Sequence, residues 1–382
     1  MTLPDSPGDK PALPRPPADA AQTKYRARRI ALKAGLALGA LIALYGAGWY
    51  ALAGRFADGV RDFLAAQQGE GATVPPMGGQ NIKIAYADIA LGGFPGRLEA
   101  RLIAPTATLG FANRTWIWRP ARVAFSARPW SVARVTVDLS GEHAVAPADA
   151  SGLPRWKAHA RTLAVEARLA GSSVAEFTLR GTDFRLDDRT GGEQFAFARL
   201  RADWHRAEIQ SADSQPDHLR ASQSFEVLAE GIRMPPTARL PLADQIARVF
   251  VVGEVKGRLA RETGTDTLRR WRDDGGTVEL RRIEGRWGAL ALGGEGTLAL
   301  DGAFQPVGAF TARIEGFSET LDALRASGAI SGRDALTAKV VLTALARREG
   351  EGRPYLTLPV ALQERRLYVG PVALLTVPAL PW

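Results

Sequence analysis

Residues 34–54 of this chain read AGLALGALIALYGAGWYALAG and contain no charged side chain. Because a helix rises about 1.5 Å per residue, an apolar run of this length can cross a hydrocarbon core roughly 30 Å thick. Tyr45, Trp49 and Tyr50 lie toward the end of the run, where amphipathic rings favour the lipid–water interface. We therefore predict a transmembrane helix over residues 30–54.

The charges beside this run predict its orientation. Its N-terminal flank holds basic residues with no acidic residue among them, namely Lys24, Arg26, Arg28, Arg29 and Lys33. Positive residues stay on the cytoplasmic side of a membrane, so we expect a cytoplasmic N-terminus and a C-terminal domain outside the cytoplasm. A cleaved signal peptide is the alternative, since Ala51 and Ala53 form an Ala-x-Ala pattern, but the length of the run and the polar tail before it favour a retained anchor.

The composition of the 382-residue chain excludes several classes of protein. Its net charge is +9, but acidic and basic residues are interleaved after the tail, without the continuous basic stripe of a nucleic-acid-binding protein. There is no cysteine, so disulfides, cysteine nucleophiles and cysteine-ligated metal sites are excluded. Stability must come from hydrophobic burial and strand pairing, and we expect no nucleic-acid partner.

Two segments flank the predicted membrane helix. We predict a disordered cytoplasmic tail over residues 1–29, because this segment is rich in proline and offers few apolar side chains for burial. Residues 55–80 are predicted to form a membrane-proximal helix and a linker. Phe56, Val60 and Leu64 recur there with helical spacing, and a stretch rich in glycine and proline then ends the helix.

From residue 81 onward, apolar residues alternate with polar ones, which is the period of a half-buried strand. Val135, Val137 and Leu139, for example, are separated by single polar residues. We predict two β regions, one over residues 81–235 and one with short helices over residues 236–382, divided near a Pro-Pro pair.

Local patterns inside these regions make finer predictions. In the first region, the alternation that gives Leu163 and Leu179 the same strand parity is expected to continue through Phe184. In the second region, helical spacing predicts short helices at residues 242–250, at residues 266–272, from a Ser318 cap to about Gly328, and from a Ser331 cap through Leu345.

The balance of apolar surface decides the fold class. Many predicted strands each carry one apolar face, and the helices predicted after the anchor are too few and too short to cover them. Either the sheet closes on itself as a sandwich or barrel, or part of the face stays open as a groove in which acyl chains are buried. The sequence therefore predicts a mainly β fold with minor α: an N-terminal transmembrane helix followed by a large antiparallel, curved β-sheet, as a groove or a sandwich, with a few short helices.

No motif in the sequence predicts a catalytic, cofactor or metal site. The 382 residues contain no P-loop, no GxSxG elbow and no EF-hand loop. Acidic pairs at 187–188 and 273–274 lie beside glycine-rich turns, where acids are normally solvated. His143 and His159 are expected at the surface. We therefore expect no enzyme activity, no cofactor and no metal.

A short motif links the chain to a known family. Gly93, Phe94 and Pro95 lie between two alternating segments. The glycine permits an unusual turn, the proline fixes φ at the start of the next strand, and the phenylalanine is expected to plug the turn into the core. Together with RPW at 128–130, LYVGP at 367–371 and the anchor, this motif resembles the family of Gram-negative bacterial proteins called domain of unknown function 2125.

The resemblance implies an uncharacterised single-pass protein of the inner membrane with a periplasmic C-terminal domain, and it supplies no catalytic residue. The Gly-Phe-Pro turn and the C-terminal strand pattern are also similar to AsmA-like inner-membrane proteins, a group implicated in lipid movement to the outer membrane. We therefore expect a non-enzymatic protein that binds or passes membrane lipids or supports cell-envelope assembly. The alternative is an envelope scaffold that recruits envelope protein partners without binding lipid.

Overall fold

The described part of the chain is mainly antiparallel β with minor α, as the sequence predicts. The computed structural model describes residues 18–66, 82–111, 114–148, 155–171, 173–207, 217–235, 241–259, 265–350, 352–369 and 372–380.

Nineteen strands and four α-helices lie in these residues. The helices are α1 (Ala18–Ala66), α2 (Thr265–Asp273), α3 (Phe317–Ala326) and α4 (Gly332–Leu345), with one 3₁₀ turn at Asp217–Leu219. The first strands are β1 (Ile82–Ala85), β2 (Asp88–Gly92), β3 (Leu98–Ile103), β4 (Thr106–Phe111), β5 (Arg114–Pro120), β6 (Ala124–Arg128), β7 (Ser131–Asp138), β8 (Gly141–Pro147) and β9 (Trp156–Ala170). The later strands are β10 (Ser173–Asp188), β11 (Glu193–Arg206), β12 (Ala221–Arg233), β13 (Gln245–Lys256), β14 (Thr277–Trp287), β15 (Leu290–Leu300), β16 (Pro306–Glu315), β17 (Tyr355–Gln363), β18 (Arg366–Val369) and β19 (Val372–Thr376).

Among the described residues, α1 is the one helix long and apolar enough to cross a membrane, by the length and composition of Leu32–Ala65. The helix begins at Ala18, so residues 18–29 are helical and do not belong to a disordered tail. The alanine, lysine and arginine residues that dominate this part of the sequence are strong helix formers. Residues 1–17 of the predicted tail and residues 67–80 of the predicted linker lie outside the described residues.

The chain divides into two compact units, Met1–Leu52 and Ala53–Trp382. The described residues of the first unit all belong to α1. The second unit contains the last turns of α1 and the whole sheet.

The sheet is an antiparallel meander whose spatial order follows the sequence. The first eight strands are the halves of four long bent strands, and each half pairs with the matching half of the next, as β2 does with β3 and β1 with β4. The long strand β9 pairs with both β7 and β8. Each later strand pairs with the next one through β19, and the pairing of β12 with β13 runs across the position where the sequence suggests a division between two β regions.

The sheet is open and curved, so it takes one of the two arrangements that the sequence leaves open. Within the described residues, β19 pairs only with β18, and the first bent strand, β1 with β2, pairs only with the second.

A crease crosses the sheet where the long strands bend. Gly141, Asp183 and Gly231 have positive φ angles of 108°, 47° and 64°. The pairing register places Arg161 opposite Asp183, and Ala198 opposite both Asp183 and Gly231. These irregular residues therefore form one line across neighbouring strands, as bulges do where a sheet bends.

At this crease the apolar residues of β10 change from odd-numbered to even-numbered positions. On β10, Leu179 pairs with Val165, whereas Phe184 pairs with Ala160 on the far side of the crease. Phe184 nevertheless lies on the same face as Leu163, as expected. It stacks on Phe197, whose ring lies 3.0 Å from where a Cβ atom of Gly181 would be. The left-handed backbone of Asp183 takes up the one-residue shift between Leu179 and Phe184.

The last turns of α1 cover the start of the sheet. Val60 and Leu64 are buried there and pack with Leu102, Val123 and Phe125. The predicted membrane-proximal helix is thus present, and its apolar stripe faces the sheet.

The later helices match the sequence except at two places. α2 and α4 lie where predicted, and the Ser331 side chain caps α4 by accepting the Asp334 N–H at 3.1 Å. α3 follows Gly316, which has a φ of 71°, and so Ser318 is not its cap. The helix predicted at residues 242–250 is wrong, because β13 runs through this segment and its β-branched residues favour a strand.

Candidate functional site

The candidate site is a set of apolar side chains on one face of the sheet. Residues directly opposite each other in an antiparallel pair place their side chains on the same face, so a row can be followed from strand to strand. Three such rows cross the sheet without a charged residue, and we call them together the apolar face.

The members of these rows come from every long strand. Row one contains Leu91, Ala100, Phe125, Val137, Val165, Leu179, Ala202, Val227, Val251, Ile283, Gly294, Ala312 and Leu358. Row two contains Leu98, Ala127, Val135, Ala167, Phe177, Trp204, Phe225, Gly253, Leu280, Gly296, Phe310, Val360 and Val369. Row three contains Leu163, Gly181, Leu200, Ala229, Val249, Gly285, Leu292, Ile314 and Leu356.

Glycines in row two make room for aromatic rings on the next strand. A Cβ atom at Gly253 would lie 2.6 Å from the ring of Phe225, and one at Gly296 would collide with the ring of Phe310. Each ring therefore occupies the space above a neighbouring backbone, where only glycine fits. The aromatic rings of the middle strands thus pack down onto the glycines beside them, and the face stays apolar there.

A helix covers the start of the apolar face but not its middle. In row one, Ala100 and Phe125 are buried in the cluster that the last turns of α1 form with the sheet. From Val165 through Ala312, every member of the same row is only half-buried. At the far end of row three, Leu356 is buried again. The middle of the apolar face, on β9 to β16, is thus only partly buried, as expected for a sheet that no second layer of the described chain covers.

The other face of the same strands is charged. Its ion pairs include Arg168 with Glu176 at 2.8 Å, Arg180 with Glu166 at 3.1 Å, and Arg201 with Asp203 at 2.6 Å. They line a depression of about 510 Å³. The hydrogen bond from Arg168 is the main reason why the pKa of Glu176 lies below its ordinary value. Because the acids of this depression bind its bases, we interpret it as part of the structure and not as a binding site.

Trp118 and His143 form a pair of stacked rings on the far side of the crease. The Trp118 Nε1–H donates to His143 Nδ1 at 3.3 Å, and the two rings stack with centroids 5.8 Å apart. His143 is only 5 % exposed, so the expected surface position is wrong, whereas His159 is exposed as expected. Burial, which penalises the charged ring, lowers the pKa of His143. Sequence reasoning missed this contact because the two residues lie 25 positions apart.

The acidic pairs have structural roles. Asp188 accepts hydrogen bonds from the backbone N–H groups of Thr190 and Gly192, at 2.8 and 2.9 Å, and so closes the turn between β10 and β11. Asp273 pairs with Arg272 at 2.7 Å at the end of α2. Within the described residues, no group of three or more His, Asp or Glu side chains could hold a metal ion.

The Gly93-Phe94-Pro95 motif forms the turn between β2 and β3. Gly93 has a φ of 94°, and a Cβ atom there would lie 2.6 Å from the Arg97 carbonyl oxygen, so the turn requires glycine. The Phe94–Pro95 peptide bond is cis. Phe94 is 51 % exposed, and the expectation that it plugs the turn into the core is therefore wrong.

A family described as an uncharacterized protein conserved in bacteria (DUF2125) matches residues 49–378. The match includes every strand of the apolar face. No curated protein matches the chain.

Proposed function

This chain belongs to the DUF2125 family, whose members are uncharacterized, and we propose from its geometry that it is a membrane-anchored, non-enzymatic protein that binds lipid acyl chains on its apolar face. The family indicated by the short motifs is thereby confirmed, whereas the likeness to AsmA-like proteins stays a prediction. The observation that carries the proposal is the partly exposed middle of the apolar face, where three rows contain no charged residue.

The dimensions of this surface suit hydrocarbon. Strands lie about 4.8 Å apart and alternate side chains about 6.8 Å apart, so three rows on β9 to β16 measure roughly 34 Å by 14 Å. An apolar patch on the order of 500 Å² is large for a surface that faces only water, and patches of this size mark sites of interaction. One leaflet of a bilayer is about 15 Å of hydrocarbon, so an acyl chain fits along the face.

The proposal places this surface beside a membrane. Exposed apolar side chains such as Leu36 and Leu44 on α1 support an anchor, and the basic flank from Lys24 to Lys33 supports a cytoplasmic N-terminus. The β domain then lies in the periplasm of an inner-membrane protein. There it binds or passes lipid or supports assembly of the envelope.

Two features support a role without catalysis. The acids and bases of the charged depression neutralise one another, as Arg201 and Asp203 do, so none of these pairs is poised for proton transfer. The apolar face itself has no titratable group in its three rows, and hydrocarbon binding needs none.

The experiment compares two neighbouring valines on β13. Val251 belongs to row one, whereas Val252 lies on the charged face, opposite Glu226 and Arg282. A carboxylate placed against an acyl chain costs several kcal/mol, so Val251→Asp should reduce the lipid that co-purifies with the full chain by at least about tenfold. Lipid extracted from protein purified in mild detergent would be quantified by mass spectrometry.

Val252→Asp is the matched control and should retain lipid, because it makes the same change on the same strand. Equal lipid content in the two variants and the unchanged chain would contradict the proposal, as would an unchanged chain that carries no lipid. A stoichiometric protein in place of lipid, lost only from Val251→Asp, would favour the envelope scaffold.

A further inference from the structure

α4 exposes an apolar surface that no described part of the chain covers. Leu336, Val340, Val341 and Leu345 are 66, 63, 50 and 60 % exposed. At 3.6 residues per turn, these four side chains spread over about half of the circumference of the helix. A helix that directs its large apolar side chains into solvent has a partner outside the chain.

The opposite side of α4 explains why these residues point outward. Ala335 is buried and Ala338 half-buried, on the side where α4 packs against α3. Lys339 reaches across to Asp322 of α3 at 2.9 Å. The side that faces its own domain therefore holds small residues, the half-buried Leu342 and one ion pair, whereas the four exposed leucines and valines lie away from it.

Positive charges flank the exposed apolar residues. Arg333 lies in the first turn of α4, and Arg347 and Arg348 follow its last turn, all with exposed side chains. The neighbouring acids are engaged elsewhere, since Asp334 accepts a hydrogen bond from Ser331 and Glu349 pairs with Arg313. Arginine side chains can extend along apolar surface and place the guanidinium among phosphate groups. An apolar stripe between basic ends is the pattern of a helix that lies in the interface of an acidic bilayer.

We propose that α4 lies in the lipid–water interface of the membrane that carries the anchor. The inference rests on the anchoring part of the proposed function and not on acyl-chain binding by the sheet. It gives the protein a second membrane contact, made by a segment near the opposite end of the meander from α1. The anchor keeps the local concentration of this surface high, so a helix with weak affinity of its own can remain bound.

The test measures whether α4 touches lipid in the full chain. The sequence contains no cysteine, so Val340→Cys gives one site for an environment-sensitive fluorophore. The labelled protein is reconstituted into vesicles of phosphatidylcholine and phosphatidylglycerol, with nitroxide-labelled lipid in the same bilayer. We expect blue-shifted emission and a loss of more than half of the fluorescence to the nitroxide. Flotation of the vesicles first shows whether the anchor holds the protein.

Two further variants keep the result interpretable. Glu319→Cys places the same label on the exposed charged surface of α3 and should be quenched little. Leu336→Asp with Leu345→Asp, added to Val340→Cys, should remove the quenching and leave the far-ultraviolet circular dichroism unchanged, because both leucines are exposed in the fold.

Several results would overturn the inference. Protein that floats with vesicles but is quenched equally at positions 319 and 340 would show that α4 is not at the interface. Quenching only by nitroxide lipid in a second, added vesicle population would assign α4 to another membrane. Blue-shifted emission without quenching by either bilayer would show a protein contact instead. Failure to float would refute the anchor and leave lipid binding by the sheet to its own test.

Discussion

The uncovered middle of the apolar face predicts that two leucines on one face of the sheet differ in their contribution to stability. Leu102 is 4 % exposed in the cluster beneath α1. Leu179 lies on β10 between Val165 and Ala202, where the same face is half-buried. Leu102→Ala opens a cavity that the helix closes on the outer side, and such cavities cost about 2–5 kcal/mol.

Leu179→Ala should cost less. It removes three carbon atoms, each worth about 0.8 kcal/mol when fully buried, from a partly exposed site that no other described layer encloses, so the loss should be at most about 2 kcal/mol. Urea titration of the full chain in a nanodisc, followed by far-ultraviolet circular dichroism, gives the free energy of unfolding for both variants.

Because the chemical change is the same at both sites, the ratio of the two losses of unfolding free energy shows whether another layer covers the middle of the apolar face. A loss at Leu179 as large as the loss at Leu102 would mean that another layer covers the middle of the apolar face. The reasoning that leads from uncovered rows to lipid binding would then fail.

Two other predictions concern charge. The two hydrogen bonds from Arg233 to Glu193, at 2.8 and 3.1 Å, hold the pKa of Glu193 below its ordinary value. This stabilisation is complete above the unfolded-state pKa of about 4.3 and is lost as pH falls through the lowered folded-state pKa. Between about pH 5 and pH 3, the unfolding free energy of Glu193→Gln should therefore fall less than that of the unchanged chain. Thermal melts at a series of pH values would measure the difference. For orientation, a single cysteine at Thr311 should react with a membrane-impermeant maleimide once the outer membrane of intact cells is permeabilised, and labelling only after lysis would place the β domain in the cytoplasm.

Patterns within one segment of the sequence predicted the local structure well. Ser331 marks the start of α4 because its side chain caps the helix, and the spacing of Val60 and Leu64 marks the helix that packs on the sheet. The alternation of Val135 and Val137 likewise becomes part of a strand with one apolar face. Each of these signals depends on residues within one or two turns of each other.

The failures have physical causes that a short window does not contain. Ile246 and Val249 have helical spacing, yet the β-branched residues after them pair with β12 and β14. His143 is buried through its contact with Trp118, which belongs to another strand.

The sequence by itself determined that the chain has one helix fit to span a membrane and many strands with one apolar side, because side-chain alternation is a property of each segment alone. Only the tertiary structure decided which apolar positions join into rows, since row membership depends on the register between strands that are far apart in sequence. It also decided that α1 covers the beginning of these rows and leaves the members of row one from Val165 through Ala312 partly exposed. That difference depends on where a helix packs, and burial by another element is a long-range contact that no local pattern encodes.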